Sequence, residues 1–503
     1  MLVFLAIVRI AYVAWGPLDL SPDEAHYWEW SRRMALSYYS KGPLVAYTIA
    51  VTTGVLGNTE LGVRIGAIVF SSLGCYVIYL LGRDFFEDEN IGFYAGLIPN
   101  ITPIFSIGSI FMTPDVLLVF FWAASALCLK RALSSGSGAY WYAAGALIGA
   151  GFLGKYTIAL VYPCLILFFL FSKPQRQWLL RKEFYIMGLI SLAFASPVII
   201  WNIANEQVTI RHTLGQAHLG NAGVAAWPAG LSLIQGLEFI GSQAALLSPL
   251  IFLMLIYGIW GALKGWLKEK GASHGLIFFL SAPVIFFFTI KAFHGKVQAN
   301  WALAAYITAF PAGIWALYNA RKTHGAGRKR GLVTAITFIG VLSGALLSLA
   351  THSPGLVKDI IGEAALRKPP YNRVMGWEEL GQKVSSIVPL MGEKVFIMSD
   401  TYQATGELAF YVKGNPVAYN IDTGNRRMNQ YDLWPGPDSL VSYNAVYVKL
   451  GDSGIESMVA EAFERCEKEA FKYFRGKVSV KDFTIFRCTD FKGLKRPETE
   501  KRY

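Results

Sequence analysis

The sequence predicts a polytopic α-helical membrane protein carrying a C-terminal α/β domain outside the cytoplasm. Three observations point there. Of 503 residues, 54% are hydrophobic and only 16% are charged, against about a quarter charged in soluble proteins. The deficit is local: residues 1–351 hold 24 of the 46 Lys and Arg and 14 of the 34 Asp and Glu, and residues 352–503 hold the rest. The charge-poor part is also cut into apolar runs long enough to cross roughly 30 Å of hydrocarbon.

Eleven such runs lie near residues 2–17, 63–82, 91–110, 115–133, 139–153, 156–172, 184–201, 244–263, 273–290, 300–320 and 332–350. The composition changes at His352, which divides a transmembrane domain, 1–351, from an α/β domain, 352–503. The first run contains Arg9 and is read as a span, because no small-residue cleavage site follows it. A start upstream of Met1 is left open.

Orientation follows from the loops. With the N-terminus in the cytoplasm, inner loops carry 15 Lys and Arg and outer loops carry 7, the bias that membrane insertion favours. An odd number of spans then places the tail outside, in the periplasm if the membrane is an inner cell membrane. The net charge of +12 is spread over these loops. It does not gather on one folded face, which argues against nucleic acid as a partner.

In the tail, residues 395–398, 416–421, 445–450 and 480–487 read as short strands, and 455–470 has helical spacing. Cys75, Cys128 and Cys164 fall in apolar runs and read as packing residues. Cys466 and Cys488 are free to pair if the tail lies in an oxidising compartment.

The unusual polar residues gather in the outer loops. In the first, 18–62, Ser21 precedes Pro22, Asp23 and Glu24, a helix start with a cap, a proline and two acids in its first turn. On that helix Asp23, His26, Tyr27, Trp30 and Met34 share one face. The bland alternative is an interfacial helix anchored by its aromatic rings. Thr113-Pro114-Asp115 is likewise a sound helix start. Lys155 interrupts an apolar stretch, at a cost of about 2.5–3.5 kcal/mol at membrane depth, so it is snorkelling, paired or functional. A longer outer loop holds Arg211, His212 and His218 without metal-ligand spacing, and Lys296 and Asn300 precede the tenth span. Separated carboxylates and several cations on one face suit an anionic lipid head group and a nucleophile that must lose a proton.

Asp23-Glu24 with Tyr27, Lys41-Gly-Pro43, Val63-Arg-Ile65, Thr113-Pro-Asp115, Gly154-Lys155 and Asn300-Trp301 occur in this order, with Arg427-Met-Asn-Gln-Tyr-Asp-Leu-Trp434 in the tail. This series resembles the protein O-mannosyltransferase and lipid A aminoarabinose transferase group, and especially its bacterial family-39-like members. These are integral-membrane glycosyltransferases of the GT-C fold. The resemblance implies an inverting transfer of sugar from a polyprenyl-phosphate carrier, a substrate and no cofactor, to a hydroxyl of a lipid, glycan or protein. It makes Asp23 and Asp115 the catalytic acids and sets Lys41 and Lys155 at the donor phosphate. Glu24, Tyr27, Arg211, His212, His218, Lys296 and Asn300 are further candidate substrate contacts.

Two departures stand out. Gly42-Pro43 replaces a Pro-Pro pair, and Ser40 stands where the aminoarabinose transferase has a glutamate that helps hold a metal, so metal-independent chemistry is expected. The competing class is a lipid or glycan flippase, which would call for internal repeats or polar helices at the bilayer midplane. No repeat is evident. A binding scaffold would not need eleven spans.

Overall fold

A computed structural model describes residues 1–216, 231–269, 271–323, 328–424 and 426–494. Before the first long helix, α4 (Glu60–Phe86), come α1 (Leu2–Trp15), α2 (Pro22–Ser31) and α3 (Leu44–Leu56). Two short helices follow, α5 (Glu89–Leu97) and α6 (Pro103–Gly108), then α7 (Pro114–Ser135), α8 (Gly138–Gly154), α9 (Val161–Phe171) and α10 (Lys182–Ala204). The membrane part ends with α11 (Val208–Gln216), α12 (Leu233–Leu247), α13 (Pro249–Glu269), α14 (Ala272–His294), α15 (Leu303–Thr323) and α16 (Arg328–His352).

Seven of the eleven expected spans coincide with helices long and apolar enough to cross a bilayer. The spans expected at 2–17, 139–153 and 156–172 are shorter helices. The run 91–110 is not one helix. Pro99 and Pro103 each remove a backbone donor, and the chain passes through a 3-10 turn, Ile98–Ile101, between α5 and α6. The α4–α5 pair packs backbone to backbone: a Cβ on Gly82 would lie 2.9 Å from the Gly92 Cα. Two apolar helices fall where the sequence reads as loop. α3 has 13 residues and α12 has 15, about 20 Å each and too short to register as spans.

The tail begins with α17 (Pro354–Ile361) and α18 (Trp377–Ile387) and builds a five-stranded sheet ordered β2-β1-β3-β5-β4. Its strands are β1 (Val395–Ser399), β2 (Ala418–Asn420), β3 (Asn444–Leu450), β4 (Phe463–Arg475) and β5 (Val478–Phe491). β1 pairs in parallel with β2 and β3, and β5 runs antiparallel to β3 and β4. α19 (Tyr402–Tyr411) connects β1 to β2, and α20 (Ser457–Glu461) precedes β4.

The helix expected over 455–470 is therefore wrong: only α20 is helical there, and β4 begins at Phe463. β4 is a charged edge strand, a composition that discourages further pairing. Its charges repeat at helical intervals, but they meet opposite charges across the ladder, Glu467 against Arg487 and Lys472 against Asp482.

Cys466 and Cys488 lie opposite each other in that ladder and are disulfide-bonded. Replacing both with serine is expected to lower the stability of the tail by about 2–4 kcal/mol, read as an earlier thermal unfolding transition under non-reducing conditions.

The sheet domain is clamped to the segment 18–62. α19 packs on α2 so closely that a Cβ on Gly406 would lie 3.0 Å from the His26 nitrogen. The Trp377 amide donates to Asp19 at 2.7 Å, the Tyr39 amide donates to Gln430 at 2.7 Å, and Arg32 donates to the Asn415 carbonyl at 2.9 Å.

Candidate active site

Between the membrane helices and the tail lies a cavity of about 1160 Å³. Part of the lining is apolar: Ile104 and Ile107 of α6 and Phe111 just after it, with Phe239 and Leu246 of α12. The proline breaks that end the expected span thus shape this apolar lining.

Asp23 reaches the cavity because α2 starts where it does. Ser21 caps the helix, Pro22 occupies its first turn, and the Glu24 carboxylate returns to the Ser21 amide at 2.9 Å, a capping box. Asp23 Oδ1 accepts from the Tyr402 hydroxyl at 3.1 Å, and Oδ2 lies 3.4 Å from an Arg373 nitrogen, both groups coming from the tail. Burial and the Asp23 charge hold the Tyr402 phenol protonated, above its ordinary value. Asp23 keeps 42% side-chain exposure, open to the cavity it lines.

Asp115 stands in the first turn of α7. Thr113 occupies the cap position, but its hydroxyl makes no capping bond. Lys155, where α8 ends, donates to Asp115 Oδ1 at 2.5 Å, and the Asn300 amide donates to Oδ2 at 2.9 Å. Lys155 is only 8% exposed, so it is a paired buried cation, and it does not snorkel.

Lys41 lines the same cavity, and among the described residues its ammonium makes no ion pair. Burial, and secondarily Lys155, lower its pKa to about 8, against opposing pulls from Asp115 and Asp23. His212 of α11 also lines the cavity with its ring 4.7 Å from that of Tyr39. Burial first, then Lys41 and Arg427, hold His212 neutral with a pKa of about 4. His26 is neutral too, burial lowering it to about 3, and its Nε2 accepts from the Trp30 indole at 3.1 Å.

Tyr27, Lys296 and Asn300 join the lining. Two expected contacts do not. Glu24 is fully buried away from the cavity, bound to Arg64 at 3.0 Å and to the Met112 amide at 2.9 Å. Arg211 is exposed outside the lining. Met34 lies beyond the end of α2 and is exposed, so it does not extend the Asp23 face. His218 lies outside the described residues. The tail supplies lining residues that the sequence did not single out, Arg373, Asp400 and Tyr402. The 426–434 loop both packs, with Arg33 4.2 Å from the Trp434 ring, and lines the cavity through Arg427. Among the described residues no three His, Cys, Asp or Glu gather as a metal-holding group.

Comparison with known proteins agrees with this architecture. The family model described as dolichyl-phosphate-mannose-protein mannosyltransferase matches residues 40–201. The lipid A galacturonosyltransferase RgtD of Rhizobium johnstonii is 25% identical over 406 residues, 80% of either chain. The undecaprenyl phosphate-alpha-4-amino-4-deoxy-L-arabinose arabinosyl transferase 2 of Proteus mirabilis is 28% identical over 209 residues, 38% of this chain and 37% of that one. The structure of ArnT from Cupriavidus metallidurans bound to undecaprenyl phosphate superposes with a TM-score of 0.62 at 14% identity, over 96% of this chain and 97% of that one. The oligosaccharyltransferase AglB from Archaeoglobus fulgidus, in complex with an inhibitory peptide and a dolichol-phosphate, gives 0.53 at 12% identity, over 89% of this chain and 69% of that one. The chain thus has an ArnT-like fold along nearly its whole length and is similar over four fifths of it to a lipid A galacturonosyltransferase, a likeness to the GT-C membrane glycosyltransferases of the protein O-mannosyltransferase and lipid A aminoarabinose transferase group.

Proposed function

We propose that the chain moves a sugar from a polyprenyl-phosphate donor to an acceptor hydroxyl in one inverting displacement, at the periplasmic face of an inner membrane. The observation that carries this reading is a single cavity that joins an apolar lining to Asp23, Lys41, Asp115 and Lys155. An isoprenoid needs that lining. The acceptor hydroxyl needs a carboxylate to take its proton as it attacks, and Asp23 is open to the cavity for that role. The departing lipid phosphate needs fixed positive charge, which Lys41 and Lys155 supply. Asp115 acts through Lys155 and Asn300, holding both in place. One base and one displacement invert the anomeric centre, with no covalent sugar–enzyme intermediate.

The division at residue 352 and an extracytoplasmic tail belong to the same reading, supported by the loop charge bias and by the Cys466–Cys488 bond. The relative named as a lipid A galacturonosyltransferase makes lipid A the first acceptor to test. The test reconstitutes the purified chain in proteoliposomes with a polyprenyl-phosphate sugar and lipid A. Glycosylated product with the opposite anomeric configuration is expected. Movement of the carrier across the bilayer with its glycosidic bond intact would establish a flippase instead.

Lys41 gives the reaction a pH dependence. Without an anion bound, its ammonium loses its proton as the pH passes about 8, so the donor KM should rise above that pH. Lys41→Arg stays charged and should flatten the rise. Unfolding does not explain such a rise. The unfolded lysine keeps its proton up to about 10.5, so between 8 and 10.5 this group makes folding more favourable as pH increases.

A further inference from the structure

The cations lining the cavity exceed what the proposed donor requires. They are Lys41, Lys155, Lys296, Arg373, Arg426 and Arg427. Three are already engaged: Lys155 by Asp115, Arg373 by Asp23, and Arg426 by a two-pronged pair with Asp432 at 2.6 and 2.7 Å. Of the lining acids, Asp400 faces Lys449 at 3.9 Å, and only Glu238 has no ion pair among the described residues. Setting Lys296 against Glu238 still leaves Lys41 and Arg427. A sugar joined to a polyprenyl chain through one phosphodiester brings a single negative charge, which in the reading above Lys41 meets together with Lys155, itself already paired with Asp115.

Arg427 belongs to a defined corner. Its loop is tied to the Lys41 loop through the bond between the Tyr39 amide and Gln430 at 2.7 Å, and the Tyr39 ring rests against His212 at 4.7 Å. His212 Nδ1 is buried and makes no hydrogen bond. An exposed guanidinium and an unsatisfied imidazole nitrogen therefore line the same cavity around Tyr39, with no protein anion paired to the arginine among the described residues. A guanidinium in such a place matches the two-oxygen edge of a carboxylate or phosphate.

We infer that Arg427 and His212 form a second anionic subsite, which binds a carboxylate or phosphate carried by one of the two substrates in addition to the donor's phosphodiester. The inference rests on the polyprenyl-phosphate reading, because that reading fixes the charge Lys41 must meet. The group has two possible sources, an acidic donor sugar or a phosphorylated acceptor saccharide.

Calorimetric binding to the full chain in nanodiscs separates them without requiring turnover. One pair of probes is undecaprenyl phosphate linked to galacturonic acid or to galactose. The other is lipid A with and without its phosphates. The wild-type chain is expected to bind the member of one pair that carries the extra carboxylate or phosphate about tenfold more tightly than the member that lacks it, and the pair that shows the preference identifies the source. Arg427→Ala should remove the preference while keeping affinity for undecaprenyl phosphate itself, and Arg427→Lys should restore part of it. No preference in either pair, or a preference that Arg427→Ala retains, overturns the subsite. A chain that shows the preference yet transfers no sugar would overturn the proposed reaction and leave the subsite standing.

Discussion

Asp23→Asn is expected to lower sugar transfer by a factor of about 100 to 10,000, the range associated with loss of a positioned general base, with a much smaller change in donor KM. Asparagine keeps the shape of the side chain and an oxygen for the Tyr402 hydroxyl, but it cannot take a proton from the acceptor. The Arg373 contact is long at 3.4 Å, and both partners are substantially exposed, so little stability depends on it. A cooperative unfolding transition like that of the wild type should therefore accompany the lost activity. Asp115→Asn should behave differently. It weakens the hold on Lys155 and Asn300, so donor KM should rise along with the fall in kcat. Steady-state kinetics of both variants in the same proteoliposomes separates base from positioner. Full transfer by folded Asp23→Asn would remove the base from the mechanism.

What could be read from the sequence was set by how local each cause is. The start of α2 was legible because Ser21, Pro22 and the two acids act within one turn. Asp115 and Lys155 stood out because charge in an apolar segment demands a reason, yet their pairing across 40 residues was not visible. Tyr402 and Arg373 reach Asp23 from 379 and 350 residues away, and no local pattern marks them. The misread β4 has the same origin. Its charges satisfy helical spacing locally, but β5 offers a continuous ladder that only the folded tail supplies. The resemblance makes Glu24 a candidate substrate contact beside Asp23, but sequence adjacency does not place the two side chains together. On a helix, adjacent residues point about 100° apart, and Glu24 turns inward while Asp23 faces the cavity.

That inward turn leads to the second large effect. Glu24→Ala is expected to destabilise the fold by about 3–5 kcal/mol, the cost of leaving a buried charge without its hydrogen-bonded partner. The Glu24 carboxylate accepts from the Arg64 Nε at 3.1 Å and Nη2 at 3.0 Å, from the Met112 amide at 2.9 Å and from the Ser21 amide at 2.9 Å. It thereby joins three segments, the start of α2, the start of α4 and the turn that leads to Asp115. Arg64 is 1% exposed, its remaining hydrogen bonds run to the Leu18 and Asp19 carbonyls, and the carboxylate left near it, Glu60 at 3.9 Å, lies beyond hydrogen-bond reach and does not replace Glu24. Transfer should fall as well, because the segments bearing Asp23 and Asp115 lose their common anchor. A substrate-contact role predicts something else, lost affinity with unchanged stability. The double variant Glu24→Leu with Arg64→Met decides between them: removing both charges and keeping apolar bulk should recover much of the lost stability, whereas it could not restore a missing substrate contact. Thermal unfolding of the single and double variants, followed through intrinsic tryptophan fluorescence in nanodiscs, measures the difference. A Glu24→Ala chain as stable as the wild type would show that the anchor lies elsewhere.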